Sequence, residues 1–353
     1  MPLQLLFLPG DGIGPEIVPA TRRVVDAAAD QAGVEISVSF ADIGFVALDH
    51  LGTTLPEAVV EQALTADGVV LGPVSHNAYP SVNEGGINPS GALRRALNLH
   101  ANIRPARSRS GVPTPTGSPC NMVVVRENLE GFYADRNMHL GPGEFMPTAD
   151  MAISMRRVTR DASRNIAETA FQLAVREGRR KVTAIHKANV LRVSDGLFLE
   201  ECRKVAASQP SVDYDEALVD AATALMVRDT TRFDVLVATN MFGDILSDLA
   251  SELAGGLGLG ASLNVGTRHA MAQAQHGSAP DIAGKDIANP TSLIASAAML
   301  LAHLGAIRAA RAIEAALDHA LADPATRTQD VGGRLGTTAF TDGIIHRLNE
   351  GQL

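Results

Sequence analysis

The chain has 353 residues, 46% of them apolar and 20% charged, with a net charge of −9 and two cysteines. That length allows two domains, and that balance belongs to a folded globular protein. It excludes a disulfide-stapled scaffold, disfavours a general nucleic-acid or anionic-membrane binder, and contains no apolar run long enough to span a membrane. The opening LQLLFLP is too short, and lacks the basic flank, for a signal peptide. It reads as a first buried strand, and a cytoplasmic protein is expected. A helical pattern follows from Glu16 to Ala32, then the strand-like runs EISVSFA and GVVLGP. A helix is predicted over Leu93 to His100, then a strand at NMVVVRE and a helix over Ser163 to Glu177. KVTAIHK and DVLVAT read as further buried strands, separated by a helix over Gly196 to Ala207. Helices over Gly243 to Leu253 and Pro290 to Ala322 complete the pattern. β-Branched apolar runs alternating with Ala/Leu-rich helices predict an α/β fold with parallel strand pairs.

Two stretches interrupt the alternation: RPARSRSGVPTPTGSPCN, rich in Pro, Ser and Arg, and the glycine-rich AGGLGLGASLNVG. They bracket a central block of about 150 residues, an ordinary domain size. If both are crossings, residues 1–100 and 255–353 form one domain and residues 101–254 the other. The C-terminal helical stretch needs something to pack on, which favours this division.

The residues that could carry chemistry lie mostly at the ends of these elements. LPGDGIGPEI links the first strand to the first helix, and its glycines allow close backbone approach to a ligand. The spacing Gly10, Gly12, Gly14 departs from the dinucleotide fingerprint, and an ordinary strand-to-helix turn explains it equally well. Arg94, Arg104 and Arg126 offer planar forks that suit carboxylates. A lone surface arginine is usually only solvated, but three such residues in an acidic chain point to an anionic small substrate. Lys187, at the end of an apolar strand, can lose solvation and become a base, although a lysine snorkelling to water is the commoner arrangement. Asp244 and Asp248 share one helix face and repel each other by about 0.2–0.5 kcal/mol. With Asp220 they suit a hard cation, which would cancel the repulsion; a solvated acidic face accounts for an isolated pair. HGSAPDIAGKDIANP contains a turn-rich loop in which Asp281 could take a ribose hydroxyl and disfavour a 2′-phosphate. A plain surface turn is the alternative.

In their order and spacing, LPGDGIGPE, NIRPAR, VVRENLEGFY, HKANVL, NMFGDILSD, HGSAPDIAGKDIANP and DVGG resemble the β-decarboxylating dehydrogenases of isocitrate, homoisocitrate, 3-isopropylmalate and tartrate or D-malate. The resemblance covers nearly the whole chain. It implies the isocitrate/isopropylmalate dehydrogenase α/β fold, two domains around a mixed, largely parallel sheet, and not a Rossmann domain. The domain formed by both termini would carry the cofactor loop, and the middle one would bind substrate and dimerise.

The resemblance further implies NAD- and divalent-metal-dependent oxidative decarboxylation of a 2-hydroxy di- or tricarboxylate. Arg94, Arg104 and Arg126 would hold the substrate's carboxylates, with Asn189 near substrate and nicotinamide. Lys187, supplied by the partner subunit, would deprotonate the 2-hydroxyl, directly or through water. Tyr133 would protonate the enolate. Asp244 and Asp248 would bind Mg²⁺ or Mn²⁺ together with Asp220 of the partner subunit. His276, Gly277, Ser278, Ala279, Asp281 and Ile282, with Asn289 nearby, would bind the adenosine half of the cofactor, and Asp281 and Ile282 resemble the NAD-using members. A homodimer with shared active sites follows, or a tetramer built on it.

Isopropylmalate enzymes place a glutamate and two leucines where GGINPSGALR has Ile87, Ser90 and Gly91. That change removes an apolar pocket and offers the Ser90 hydroxyl to a polar γ-group. Isocitrate or homoisocitrate is the leading expectation, with 3-isopropylmalate and tartrate or D-malate as alternatives. A regulatory subunit stripped of catalytic residues is the non-enzyme alternative; the presence of Tyr133, Lys187 and all three aspartates stands against it.

Overall fold

The computed structural model describes residues 2–133, 137–141 and 143–350. Strand β1 (Leu3–Leu8) is followed by α1 (Gly14–Ala32), β2 (Ile36–Phe40), α2 (Phe45–Leu51), α3 (Glu57–Thr65), β3 (Gly68–Leu71) and α4 (Pro89–Ala96). Next come β4 (Ala101–Arg107), β5 (Asn121–Glu127), a hairpin of β6 (Glu144–Thr148) and β7 (Met151–Ser154), and α5 (Arg160–Glu177). The chain continues through β8 (Lys181–His186), α6 (Ser194–Ser208), β9 (Asp213–Leu218), α7 (Val219–Arg228), β10 (Val235–Ala238) and α8 (Asn240–Ala254). It ends with β11 (Leu263–Val265), β12 (Ala270–Gln273), α9 (Thr291–His303), α10 (Ile307–Ala322) and α11 (Thr337–Glu350). Two compact units result: Met1–Leu99 with Ser108–Pro113 and Gly255–Leu353, and His100–Arg107 with Thr114–Ala254. Among the described residues no helix is long and apolar enough to cross a membrane.

In the first unit the strand order is β2-β1-β3-β12-β11, parallel except for the β11/β12 pair. Leu6, Leu8, Val69 and Leu71 bury the sheet against Leu93, Leu97 and Leu99. Helix α4 starts earlier than its apolar pattern indicates, because Asn88 caps it by accepting from Gly91 N–H and Pro89 fills its first turn. The long helical stretch of the C-terminal part is two helices, not one. Gly305, at φ 88°, adopts a left-handed conformation that a helix cannot continue through, and α10 restarts two residues later. Segment Ser108–Pro113 is pinned to α10 by the buried Arg109, which donates to Glu314 at 2.9 Å and to Asp318 at 2.6 Å.

In the second unit the order is β4-β5-β10-β8-β9, parallel apart from the β4/β5 pair. All four residues of β10 are fully buried, as its unbroken apolar run demands. The loop-like reading of RPARSRSGVPTPTGSPCN is corrected over its first part: Arg104–Arg107 continues strand β4, which pairs with β5 and sets Arg104 opposite Val124. The local composition is that of a loop, but long-range pairing overrides it. At Gly243 the start of α8 runs against β5; a Cβ there would lie 2.7 Å from Arg126 Cβ.

Candidate active site

The second unit gathers its polar groups where its parallel strands end at their carboxyl termini, the usual place for a site in an α/β sheet. Arg126 is the penultimate residue of β5, Lys187 follows β8, Asp220 opens α7 after β9, and Asn240 opens α8 after β10. Arg126 is 3% exposed, and its Nε donates to Asn240 Oδ1 at 2.9 Å. Its Nη1 is paired with Asp244 and its Nη2 donates to the Tyr133 hydroxyl at 2.6 Å. That hydroxyl in turn donates to Asp244 Oδ2 at 3.2 Å. Asn240 closes the arrangement by donating to Glu130 O at 2.8 Å, which fixes the loop leading to Tyr133.

Arg104 answers the charge problem posed by Asp244 and Asp248. Its Nη1 lies 3.1 Å from Asp244 Oδ1, 3.3 Å from Asp248 Oδ1 and 2.7 Å from Ser247 Oγ. One guanidinium therefore sits between the two like charges, so a metal ion is not needed to cancel their repulsion. Burial, together with the nearby Arg126 cation, pulls the Arg104 guanidinium down from its ordinary value to about 10.

Lys187 and Asp220 form a second group, with Nζ 2.7 Å from Oδ1. The hydrogen bond from Lys187 holds the Asp220 carboxyl below its ordinary range. Asn189 lies in the turn just after Lys187. Among the described residues no cluster of three or more His, Cys, Asp or Glu is placed to hold a metal ion. Asp220 therefore does not join Asp244 and Asp248 within one chain.

The first unit carries its own polar centre. Ser90 Oγ and Arg94 Nη2 both donate to Gln273 Oε1, each at 3.0 Å. The Ser90 proton assigned from sequence to a substrate γ-group is thus committed to Gln273. Ile87 packs against the core.

The loop from His276 to Ile282 is braced by the first glycine-rich turn. Ile13 N–H donates to Ser278 O at 2.9 Å, and Ser75 Oγ donates to Ser278 Oγ at 2.7 Å. Gly12, at φ 58°, has no room for a side chain, since a Cβ would lie 1.9 Å from Ser278 O. Its glycine is required by this close approach, whatever else the turn does. Ala279 takes a positive φ of 39°. Gly277 and Asp281 are exposed, Ile282 is half-buried, and Lys285 Nζ donates to Asp281 O at 2.7 Å. Asn289 donates to Asp330 Oδ2 at 2.9 Å. His276 Nδ1 lies 2.9 Å from Gly277 O, its pKa is lowered by burial, and its buried Nε2 has no hydrogen-bond partner among the described residues.

Sequence reasoning missed Gln273, Asn240, Ser247 and Asp11. Asp11 binds the backbone of Phe45 and Ser75 and the Tyr79 hydroxyl, tying together the loops beside Ser278. A polar residue ending an apolar run, such as Gln273 in AMAQ or Asn240 after VLVAT, was the available signal.

Residues 4–344 match the isocitrate/isopropylmalate dehydrogenase family. The chain is 40% identical over 346 residues to a 3-isopropylmalate dehydrogenase of Archaeoglobus fulgidus, covering 98% of this chain and 99% of that one. It is 40% identical over 349 residues to an isocitrate/homoisocitrate dehydrogenase of Thermus thermophilus, with 99% of both chains covered. The crystal structure of isocitrate dehydrogenase from Methylococcus capsulatus superposes with a TM-score of 0.89 at 42% identity, over 98% of this chain and 99% of that one. With a family match over nearly its whole length and the fold shared, the chain belongs to the isocitrate/isopropylmalate dehydrogenase family and is an oxidoreductase.

Proposed function

We propose that the protein catalyses NAD- and divalent-metal-dependent oxidative decarboxylation of a malate-type 2-hydroxy acid, isocitrate or homoisocitrate first, in the cytoplasm. The carrying observation is the contact of Tyr133 with both Arg126 and Asp244. It sets a phenolic proton donor against a cation suited to a carboxylate and an acid suited to a metal. In this reading Arg104 and Arg126 take substrate carboxylates, and Arg94 and Ser90, held by Gln273, are further substrate contacts. Lys187 accepts the 2-hydroxyl proton, and Tyr133 returns a proton to the carbon that loses CO₂. Asn189 lies beside the reacting centre.

Two hard carboxylates on α8 suit Mg²⁺ or Mn²⁺, with Asp220 of the partner subunit as the third. Such an ion contributes Lewis-acid stabilisation of the 2-oxygen. The fit of NAD rests on His276, whose buried Nε2 lacks a donor among the described residues, and on Ser278, Asp281, Ile282 and Asn289 of the braced loop; NAD contributes the hydride acceptor. A homodimer is supported by the exposed apolar surface of the second unit. The β6–β7 hairpin is exposed throughout, including Phe145 and Met146. Ile245 on α8 and Val190 beside Lys187 are also exposed. A two-stranded hairpin is marginal unless something covers it.

The engagement of Ser90 with Gln273 favours one second reading, 3-isopropylmalate, because the hydroxyl proton is not free for a γ-carboxylate. Incubation with NAD, Mn²⁺ and a panel of 2-hydroxy di- and triacids, with products identified by mass spectrometry, tests both. Turnover of isocitrate or homoisocitrate that stops in excess chelator is expected. Failure of every acid in the panel, or full activity in chelator, refutes the proposal.

A further inference from the structure

Arg156 lies between β7 and α5, with its side chain only 7% exposed. Its guanidinium is ion-paired with Asp195, which is fully buried in the first turn of α6. It also donates to Ser194 Oγ at 3.0 Å and to Thr239 Oγ1 at 2.9 Å. Its central carbon sits 5.6 Å from the ring centre of Phe132 and 5.4 Å from that of Phe242, within cation–π range. The second Asp195 oxygen accepts the backbone N–H of Lys187 at 2.6 Å.

These partners adjoin groups assigned above to the reaction. Asp195 holds Lys187 itself. Phe132 precedes Tyr133, and Thr239 precedes Asn240, which holds Arg126. Phe242 is two residues before Asp244. As a stabilising device alone a buried ion pair is a poor choice, since apolar side chains of similar volume often serve as well or better. As a geometric device it is apt. A planar guanidinium bonds in several fixed directions in its plane and stacks on both faces, which an ammonium cannot do.

We propose that Arg156 and Asp195 are positioning residues: through one guanidinium they fix both the backbone carrying Lys187, which serves the partner's site, and the backbone carrying Tyr133 and Asp244, which serve this chain's own site. The inference rests on the roles proposed above for those three residues.

Arg156→Lys and Asp195→Asn in the full-length protein test it, beside Lys187→Ala and Tyr133→Phe. Three readouts are taken once circular dichroism shows a folded protein: kcat and KM, the isotope effect with substrate deuterated at C2, and hydrogen exchange in segments 130–133 and 186–190. In Arg156→Lys, kcat is expected to fall on the order of 10- to 100-fold, with KM held within about threefold. The isotope effect should rise as hydride transfer becomes limiting, and both segments should exchange faster. Asp195→Asn should speed exchange at 186–190 most. Near-normal kcat in Arg156→Lys, or a lower kcat with unchanged isotope effect and exchange, overturns the proposal. Wild-type activity in Lys187→Ala and Tyr133→Phe instead refutes the roles given to those residues, and the exchange data still decide whether Arg156 holds both segments.

Discussion

Replacing Arg104 by methionine separates stability from function. Arg104 is 7% exposed, and its guanidinium falls from its ordinary value to about 10 through burial and the Arg126 charge, despite Asp244 and Asp248. A base with a lower pKa in the folded state binds its proton less tightly there. The folded state therefore carries a penalty at neutral pH that disappears only above the unfolded value. A drop of that size corresponds to about 3 kcal/mol against folding. Methionine removes the penalty and keeps much of the volume. It loses the bond to Ser247, about 1 kcal/mol, and leaves Asp244 and Asp248 to repel by about 0.2–0.5 kcal/mol. Arg104→Met should thus stabilise the protein by about 1–2 kcal/mol, as apolar replacements of buried charges often do. Thermal unfolding followed by circular dichroism should show Tm rising by about 1–3 °C. Catalysis should move the other way. Loss of a charged hydrogen bond to a substrate carboxylate, about 1.5–3 kcal/mol, should raise KM roughly 10- to 100-fold. A fall in Tm of several degrees would show that Arg104 is a net stabiliser and would refute the reasoning.

Glu127 gives a pH signature: burial raises its carboxyl to about 7 although Leu129 and Glu130 N–H groups donate to it. A carboxyl with a raised folded pKa favours the folded state at low pH. Its contribution should be lost as pH rises from about 4.5 through about 7, and Glu127→Gln should flatten the urea-midpoint profile in that window; an unchanged slope counts against the assignment. NAD should be preferred to NADP by about two orders of magnitude, from roughly 2–3 kcal/mol of lost hydrogen bonding and repulsion at Asp281. Equal kcat/KM values for the two cofactors would contradict this. Mixing Lys187→Ala with Tyr133→Phe protein should restore activity, because one site of the mixed dimer is then intact; no recovery despite proven subunit exchange means each chain holds a complete site. Gly12→Ala should cost at least about 1 kcal/mol from its positive φ alone and raise the KM for NAD, since the new Cβ would displace Ser278; unaltered cofactor kinetics would show that the turn does not brace the loop.

The alternation of strands and helices was legible because buried parallel strands appear as unbroken apolar runs, as in VLVA of β10. The family was legible from the order of its motifs over the chain. Local composition misled at RPAR, where proline and arginine suggest a loop but pairing with β5 continues a strand. The continuous helical pattern from Pro290 to Ala322 hid the break at Gly305, because one glycine barely disturbs a 3.6-residue periodicity. Only the tertiary structure decided what lies between Asp244 and Asp248: Arg104, which stands 140 residues from Asp244. The same holds for Ser90 and Gln273, 183 residues apart, whose hydrogen bond changes what Ser90 can offer a ligand. Sequence periodicity records which face of an element is buried. It carries no record of which distant side chain meets that face, since such contacts arise only when strands far apart in the chain are brought side by side.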